Sequence, residues 1–384
     1  MAGARREWGS WAAAGRFTET RAQAVIQAVR RSVLVSMLKY NIPRRERLGP
    51  RAPPGGVLEG PKTQYTRIWY SFDMDGKIMV IGGTGLVGNA LLRTWTASGA
   101  EVAAATYHCH ASGGFLQLDM QDETQVRALL KEHRPAVVAV PAANPFVDYC
   151  ELHPAETRRV NVDGTLNVAR ACRDLGARMI FYSSDYVFDG LKGTYTEEDA
   201  PSPLSEYGRQ KAETERGVLA LDPRNLVIRT AGAYGWQWEP KNFVLQVRAN
   251  LSQGKPMRVA DVRYNPTYVE NLAEITAALV ASGAGGIFHV VGAEEIVRDE
   301  FARLVARAFG LDESLIRTVP AGEFKAPAAR PKQCNLLMDK VRRAVAVPPM
   351  GFADGLKAML AMEPRWRAYA RTLPDPSAKV APQK

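Results

Sequence analysis

From Lys77 onward, short apolar runs alternate with longer stretches whose apolar positions recur at helical spacing. Lys77–Ile81 reads as a strand running into glycines. Leu86–Ser98 follows as a helix and stops at Gly99, a residue type common just past a helix end. Val102–Tyr107 is a second strand, Asp122–His133 a helix and Ala136–Val140 a buried strand. Pro154–Leu175 reads as one long helix, opened by proline and closed by Gly176. Arg178–Ser184 and Leu226–Thr230 are further strands. This succession of βα units predicts an α/β fold whose parallel sheet is covered on both faces. Such sheets bind ligands at the carboxyl ends of their strands. The segments that carry chemistry fall there: Gly82–Gly88 after the first strand, Ala142-Ala143 after Ala136–Val140, and Ser183-Ser184 at the end of Arg178–Ser184.

Residues 1–73 do not share this pattern. They contain Pro-Pro-Gly-Gly at 53–56 and one apolar helical stretch around Ala22 to Leu38. They also hold 13 Lys and Arg against 5 Asp and Glu, which leaves only +2 of the net charge of +10 for residues 74–384. The basic balance therefore describes the extension. The body is nearly neutral, which argues against nucleic-acid binding there. The extension is basic and poor in acids, as targeting segments are, but it is also poor in serine. Met74 stands directly before the first strand, so a true start at Met74 and a mostly disordered extension weigh equally. At 46% apolar and 23% charged, the whole is an ordinary globular composition. No apolar run reaches about 18 residues, so no membrane-spanning helix is expected. The four cysteines, Cys109, Cys150, Cys172 and Cys334, are scattered. A disulfide framework or zinc site is disfavoured, and a reducing, cytoplasmic location fits. His108-Cys109-His110 is too compact for three ligands to converge on one ion.

Gly82-x-x-Gly85-x-x-Gly88 follows a strand and opens a helix. Glycines there bring backbone N–H groups close to a pyrophosphate, and the helix N-terminus favours its charge. A Rossmann-type, doubly wound dinucleotide site is the expectation, with Gly82, Thr84, Gly85, Leu86, Val87 and Gly88 at the cofactor. The second strand ends without the acid that usually holds a ribose in NAD sites. Thr106 and His108 could instead donate to a 2′-phosphate, so NADP is favoured, with NAD open. Asp119, in Leu-Asp-Met, is a candidate for the adenine side, or a helix N-terminal residue before Asp122. Farther along, Tyr207 and Lys211 stand four apart and share a helix face. A phenol ionises near pH 10. A neighbouring ammonium would lower that value and make a usable general acid.

Together these motifs resemble the extended short-chain dehydrogenase/reductases, and within them the dTDP-4-dehydrorhamnose reductase branch. Ser183-Ser184-Asp185-Tyr186-Val187-Phe188-Asp189-Gly190 is similar to that branch's Ser-Thr-Asp-Tyr-Val-Phe-Asp-Gly. Asn144-Pro145-x-Val147-Asp148-x-Cys150-Glu151 and Asn161-Val-x-Gly-Thr-x-Asn167 resemble its middle region. Arg229-Thr230, Tyr234-Gly235, Asn265-Pro266-Thr267-Tyr268-Val269 and Arg330-Pro331 resemble its later landmarks. The resemblance covers roughly 77–345.

It implies a nucleotide-binding lobe of 74–235 with a returning element near 265–292, and a smaller substrate-binding lobe within 236–384. Tyr207 would protonate a carbonyl oxygen, Ser184 would hydrogen-bond it, and Lys211 would hold the nicotinamide ribose. Ala142 and Ala143 would line the cofactor groove. Asp185, Tyr186, Val187, Trp236 and Arg330 would meet the substrate, a nucleotide-linked keto sugar. For Trp236, burial within the lobe is the alternative; for Arg330, a salt bridge in place of a diphosphate. Pro141, Cys334 and Leu337 depart from the branch's pattern, which bears on substrate identity. No metal, nucleic acid or membrane is implied, and a homodimer is allowed. Two other readings share the fold: a non-catalytic subunit resembling the methionine adenosyltransferase beta subunit, and a sugar-nucleotide epimerase.

Overall fold

The structure, a computed structural model, describes residues 76–106 and 114–371, all within one compact unit spanning Glu59–Lys384. The extension 1–73, Met74, and the Tyr107-His108-Cys109-His110 run lie outside the described residues.

Seven parallel strands form the central sheet: β1 (Ile78–Ile81), β2 (Val102–Thr106), β3 (Phe115–Gln117), β4 (Val137–Val140), β5 (Arg178–Ser184), β6 (Leu226–Thr230) and β7 (Gly286–His289). Their order is β3-β2-β1-β4-β5-β6-β7. The order reverses between β1 and β4, where α/β sheets open a ligand crevice. All four residues of β1 and of β4 are buried, as continuous Val/Ile runs require in a sheet covered on both faces. One face packs against helices α1 (Leu86–Ala97) and α5 (Val269–Ala281), through Leu91, Trp95, Leu272 and Ile275. The other packs against α2 (Glu123–His133), α3 (Thr165–Leu175) and α4 (Glu206–Leu221), through Val126, Leu130, Val168 and Val218.

The expected single helix Pro154–Leu175 is interrupted. Pro154–Arg158 is α-helical, Arg159–Gly164 is wound as a π-helix, and α3 follows. Two packing facts accompany the wide turn. Gly164 presses on Met120, whose Cβ would stand 3.1 Å from an added Cβ. Asn161 turns inward and bonds across to Gln210 on α4.

Helices Phe243–Leu251, Arg298–Ala308 and Phe352–Ala370 gather around a third core that includes Tyr234, Trp236, Val247, Phe301, Val305, Leu356 and Met359. A four-stranded sheet shares its side chains between this core and the first. That sheet runs in the order Ile296–Val297, Arg263–Tyr264, Gln333–Leu336, Gly193–Tyr195. Among the described residues no helix is long and apolar enough to cross a membrane.

Candidate active site

The turn after β1 is built by close backbone approaches. Gly82 has φ +98, and a Cβ on it would come 2.8 Å from the Ala142 backbone nitrogen. A Cβ on Gly88 would fall 2.1 Å from the Gly82 carbonyl oxygen. Only glycine fits either place. Gly85 N–H donates to the Gly82 carbonyl at 3.0 Å, and Gly85 then stands as the N-cap of α1. No side chain caps that helix and no acid lies in its first turn, so its N-terminal N–H groups and dipole face an open end. Leu86 and Val87 pack their side chains on the core, which leaves their backbones for a ligand. Ala142 N–H donates to Ile81 carbonyl at 3.2 Å, which sets Ala142 and Ala143, just past β4, at the sheet edge where the strand order reverses. These features fit a dinucleotide pyrophosphate.

On the adenosine side the candidate residues have contacts of their own. Thr106 is buried, and its hydroxyl shares a 2.9 Å hydrogen bond with that of Thr84, so it does not face outward toward a phosphate. His108 lies outside the described residues. Asp119 organises a turn: its carboxylate accepts from Gln121 N–H at 2.9 Å, just before Asp122 caps α2 by accepting from Gln125 N–H at 3.0 Å. Asp119 thus lies in the turn ahead of the helix and its N-cap Asp122.

The second cluster lies at the end of β5. Ser205 caps α4 by accepting from Gly208 N–H at 3.3 Å. Gly208 lets the helix settle on the turn Asp185–Val187, since a Cβ there would stand 2.1 Å from the Tyr186 carbonyl oxygen. This contact sets Tyr207 beside Tyr186, ring edge to face at 5.8 Å, and next to Ser184 and Asp185. Ser184 hydroxyl donates to the Asp185 carboxylate at 2.8 Å. Lys211 is buried; its ammonium donates to Tyr182 carbonyl at 2.8 Å and lies 5.7 Å from the Tyr207 ring centre. Ser184, Tyr207 and Lys211 thus come together.

Their electrostatics depart from the sequence expectation. Burial pushes the Tyr207 phenol up, the charge of Asp185 adds to this, and Ser184 opposes it. The Lys211 ammonium is itself pulled down to about 8 by burial, with Glu215 acting against that. Asp185, buried, is raised to about 6, and the Ser184 hydrogen bond holds it from going further.

The proposed substrate residues divide. Asp185 and Tyr186 face the cluster. Val187 is fully buried in the sheet core and cannot touch a ligand with its side chain. Trp236 is also core: its indole N–H donates to Met359 carbonyl at 2.6 Å, and Arg248 stacks on its ring. Arg330 makes a two-pronged bond to Asp148, at 2.9 and 2.7 Å, so its fork is already engaged. The salt-bridge alternative is the one observed. Cys334, a departure noted in the sequence, is buried in the sheet core, and burial raises its thiol.

Sequence reasoning missed the frame around Asn161. Its amide oxygen accepts from Asn144 N–H at 2.7 Å; its amide nitrogen donates to Asn144 carbonyl at 3.2 Å and to Gln210 at 2.9 Å. This ties the loop after β4 to α4. The motif Asn161-Val-x-Gly-Thr was the available signal, but an inward amide follows only from the π-wound turn.

Comparison with known proteins decides the family. The RmlD substrate binding domain model matches residues 76–364. The chain belongs to that family. Its members are extended short-chain dehydrogenase/reductases, mostly NAD(P)-dependent oxidoreductases. A probable low-salt glycan biosynthesis reductase, Agl14, of Haloferax volcanii is 30% identical over 291 residues, covering 73% of this chain and 96% of that protein. The methionine adenosyltransferase 2 subunit beta of Mus musculus is 29% identical over 303 residues, covering 76% and 90%. The crystal structure of dTDP-4-dehydrorhamnose reductase from Bacillus anthracis in complex with NADP superposes with a TM-score of 0.69 at 26% identity, covering 75% of this chain and 99% of that one. The seven-stranded sheet with its smaller companion is thus the fold of RmlD family structures.

Proposed function

We propose that this RmlD family member is an NADPH-dependent reductase of a nucleotide-linked keto sugar, of the dTDP-4-dehydrorhamnose reductase type. The observation that carries this reading is the meeting of Ser184, Tyr207 and Lys211 beside an open α1 N-terminus. A bound reduced nicotinamide would supply the hydride. Residues 74–235 with 265–292 would hold it, and residues 236–384 would mainly hold the sugar nucleotide. Tyr207 donates its phenolic proton to the carbonyl oxygen as negative charge develops there. Its raised pKa keeps that proton in place at neutral pH. Ser184 turns its hydroxyl from Asp185 to the same oxygen. Lys211, anchored on Tyr182 carbonyl, supplies positive charge and a donor for a ribose hydroxyl. The B. anthracis structure with NADP supports NADP over NAD. The free, buried Cys150, Cys172 and Cys334 suit a reducing cytoplasm.

The likeness to the mouse subunit beta favours a second reading, a subunit that binds the cofactor without turnover. One experiment separates the two. Full-length protein is given NADPH or NADH with dTDP-4-dehydro-L-rhamnose, and oxidation is followed at the nicotinamide absorbance. Oxidation that falls by about 100-fold in Tyr207→Phe, with NADPH affinity unchanged, supports the reductase. Cofactor binding with no oxidation of either form sinks it.

A further inference from the structure

One segment, Gly235–Asn242, touches both rims of the crevice. Gly235 stands on the side of the glycine turn. A Cβ on it would come 2.5 Å from Val269 Cγ1 and 3.5 Å from Leu86 Cδ1, so the segment starts seated on the first residues of α5 and α1. The next residue, Trp236, is held by its bond to Met359 carbonyl. At the other end Asn242 closes the segment on itself: its amide nitrogen donates to Gly235 carbonyl at 2.9 Å. Its amide oxygen accepts from Leu245 N–H at 3.2 Å and caps the helix Phe243–Leu251. Between these fixed ends Lys241 reaches the opposite rim, its ammonium 5.9 Å from the centre of the Phe146 ring. Phe146 stands four residues past Ala142, whose backbone approaches Gly82 at the floor of the crevice. The segment thus runs from the α1 N-terminus to the loop after β4, across the place where the strand order reverses.

The middle of this crossing is incompletely packed. Trp238 is 39% exposed and Phe146 is 52% exposed, so both rims carry an aromatic ring with open apolar surface. Lys241 pairs with Glu239, two residues away and equally exposed, so its hold on Phe146 is light. The Gln237 amide nitrogen is buried and has no hydrogen-bond partner among the described residues. A buried donor without an acceptor is unfavourable unless a ligand or water meets it. A segment tied at both ends and unsatisfied between them has the build of a closing loop.

We propose that Trp236–Lys241 is a strap that closes over a dinucleotide in the crevice, with the Gln237 amide donating to an oxygen of that cofactor and the Trp238 ring folding down beside Phe146. This rests on the cofactor half of the reading above, and it holds equally for a reductase and for a subunit that binds without turnover. Closure covers two open rings, gives the orphan amide an acceptor and keeps water from the bound nicotinamide. The anchors at Gly235, Trp236 and Asn242 confine the movement to residues 237–241.

The test uses full-length protein and NADP⁺. Acrylamide quenching of tryptophan emission reads the exposure of Trp238, taken as the difference between wild type and Trp238→Phe. Saturating NADP⁺ should shield that ring, so that its share of the quenching falls severalfold. Gln237→Ala should bind NADP⁺ roughly threefold to tenfold more weakly by calorimetry, with no drop in melting temperature, because it removes only the orphan amide. Phe146→Ala and Trp238→Ala should each speed NADP⁺ release by roughly threefold to tenfold. The two together should do no more than either alone, since each ring has then already lost its partner. A Trp238 that is quenched equally with and without bound NADP⁺ overturns the strap and leaves the cofactor site standing. A double variant whose effects simply add does the same. If wild type binds neither NADP⁺ nor NAD⁺, the strap falls together with the cofactor reading.

Discussion

Glu215 and Arg229 face each other as a fully buried ion pair at 2.7 Å, one helical turn beyond Lys211. Arg229 stacks on Phe188 at 5.0 Å, and its strand neighbour His289 is held down to about 3 by burial, so it stays neutral beside the arginine. The pair links the helix that carries Tyr207 and Lys211 to β6. Removing one member strands the other's charge in the core. Glu215→Gln should therefore lose about 3–5 kcal/mol of stability, read from urea unfolding. A loss under about 1 kcal/mol would mean that the arginine finds another partner.

The same carboxylate bears on pH dependence. Lys211 sits at about 8 against an ordinary 10.5, through burial first, with Glu215 raising it. Between those values the unfolded chain binds more protons than the folded one. The penalty for a buried ammonium is thus fully present below pH 8 and is relieved as pH climbs toward the unfolded value. Activity should run the other way. If the ammonium is needed, kcat/KM falls on an alkaline limb near pH 8, and Glu215→Gln moves that limb to lower pH. A limb that stays in place in the variant would remove Lys211 as its origin. Tyr207 contributes no limb there, because burial holds its proton on.

Gly88→Ala tests the cofactor turn. An added methyl 2.1 Å from the Gly82 carbonyl forces β1 and α1 apart. We expect about 1–3 kcal/mol of lost stability and NADPH affinity reduced more than that of a thymidine nucleotide. Fluorescence titration of NADPH reads this directly, and wild-type affinity would show that the turn has more room than its geometry allows.

Trp236→Ala separates core from ligand contact. With its indole bonded to Met359 and its ring under Arg248, its loss should destabilise the protein by about 3–5 kcal/mol. KM for the sugar nucleotide, measured well below the melting temperature, should stay within about twofold. A large KM change with unchanged melting would return Trp236 to the substrate pocket.

Much of the sheet was legible, because doubly buried strands such as Ile78–Ile81 and Val137–Val140 are unbroken apolar runs. The glycine turn and the Tyr207–Lys211 spacing were legible too, since both depend on local geometry. Side-chain allegiance was not. Val187, Trp236 and Arg330 lie near the expected pocket in sequence. Whether they face core, ligand or one another is set by Asp148, Met359 and other residues more than 100 positions away or on different elements. The environment of Tyr207 is of the same kind: spacing shows that Lys211 is near, but not the burial and the Asp185 charge that push the phenol up. The π-wound turn at Arg159–Gly164 has no simple periodic signature, so Asn161's inward amide stayed hidden.

The contact of Gly208 with Tyr186 carbonyl has a further consequence. The distance between the strand end bearing Ser184 and the helix bearing Tyr207 is set main chain to main chain. The reacting groups are thus mounted on a frame that does not depend on what they are. Exchanging the side chain at 184 or 207 changes the chemistry offered without moving its neighbour. A frame of that kind can pass from catalysis to mere ligand holding, and back, by single substitutions.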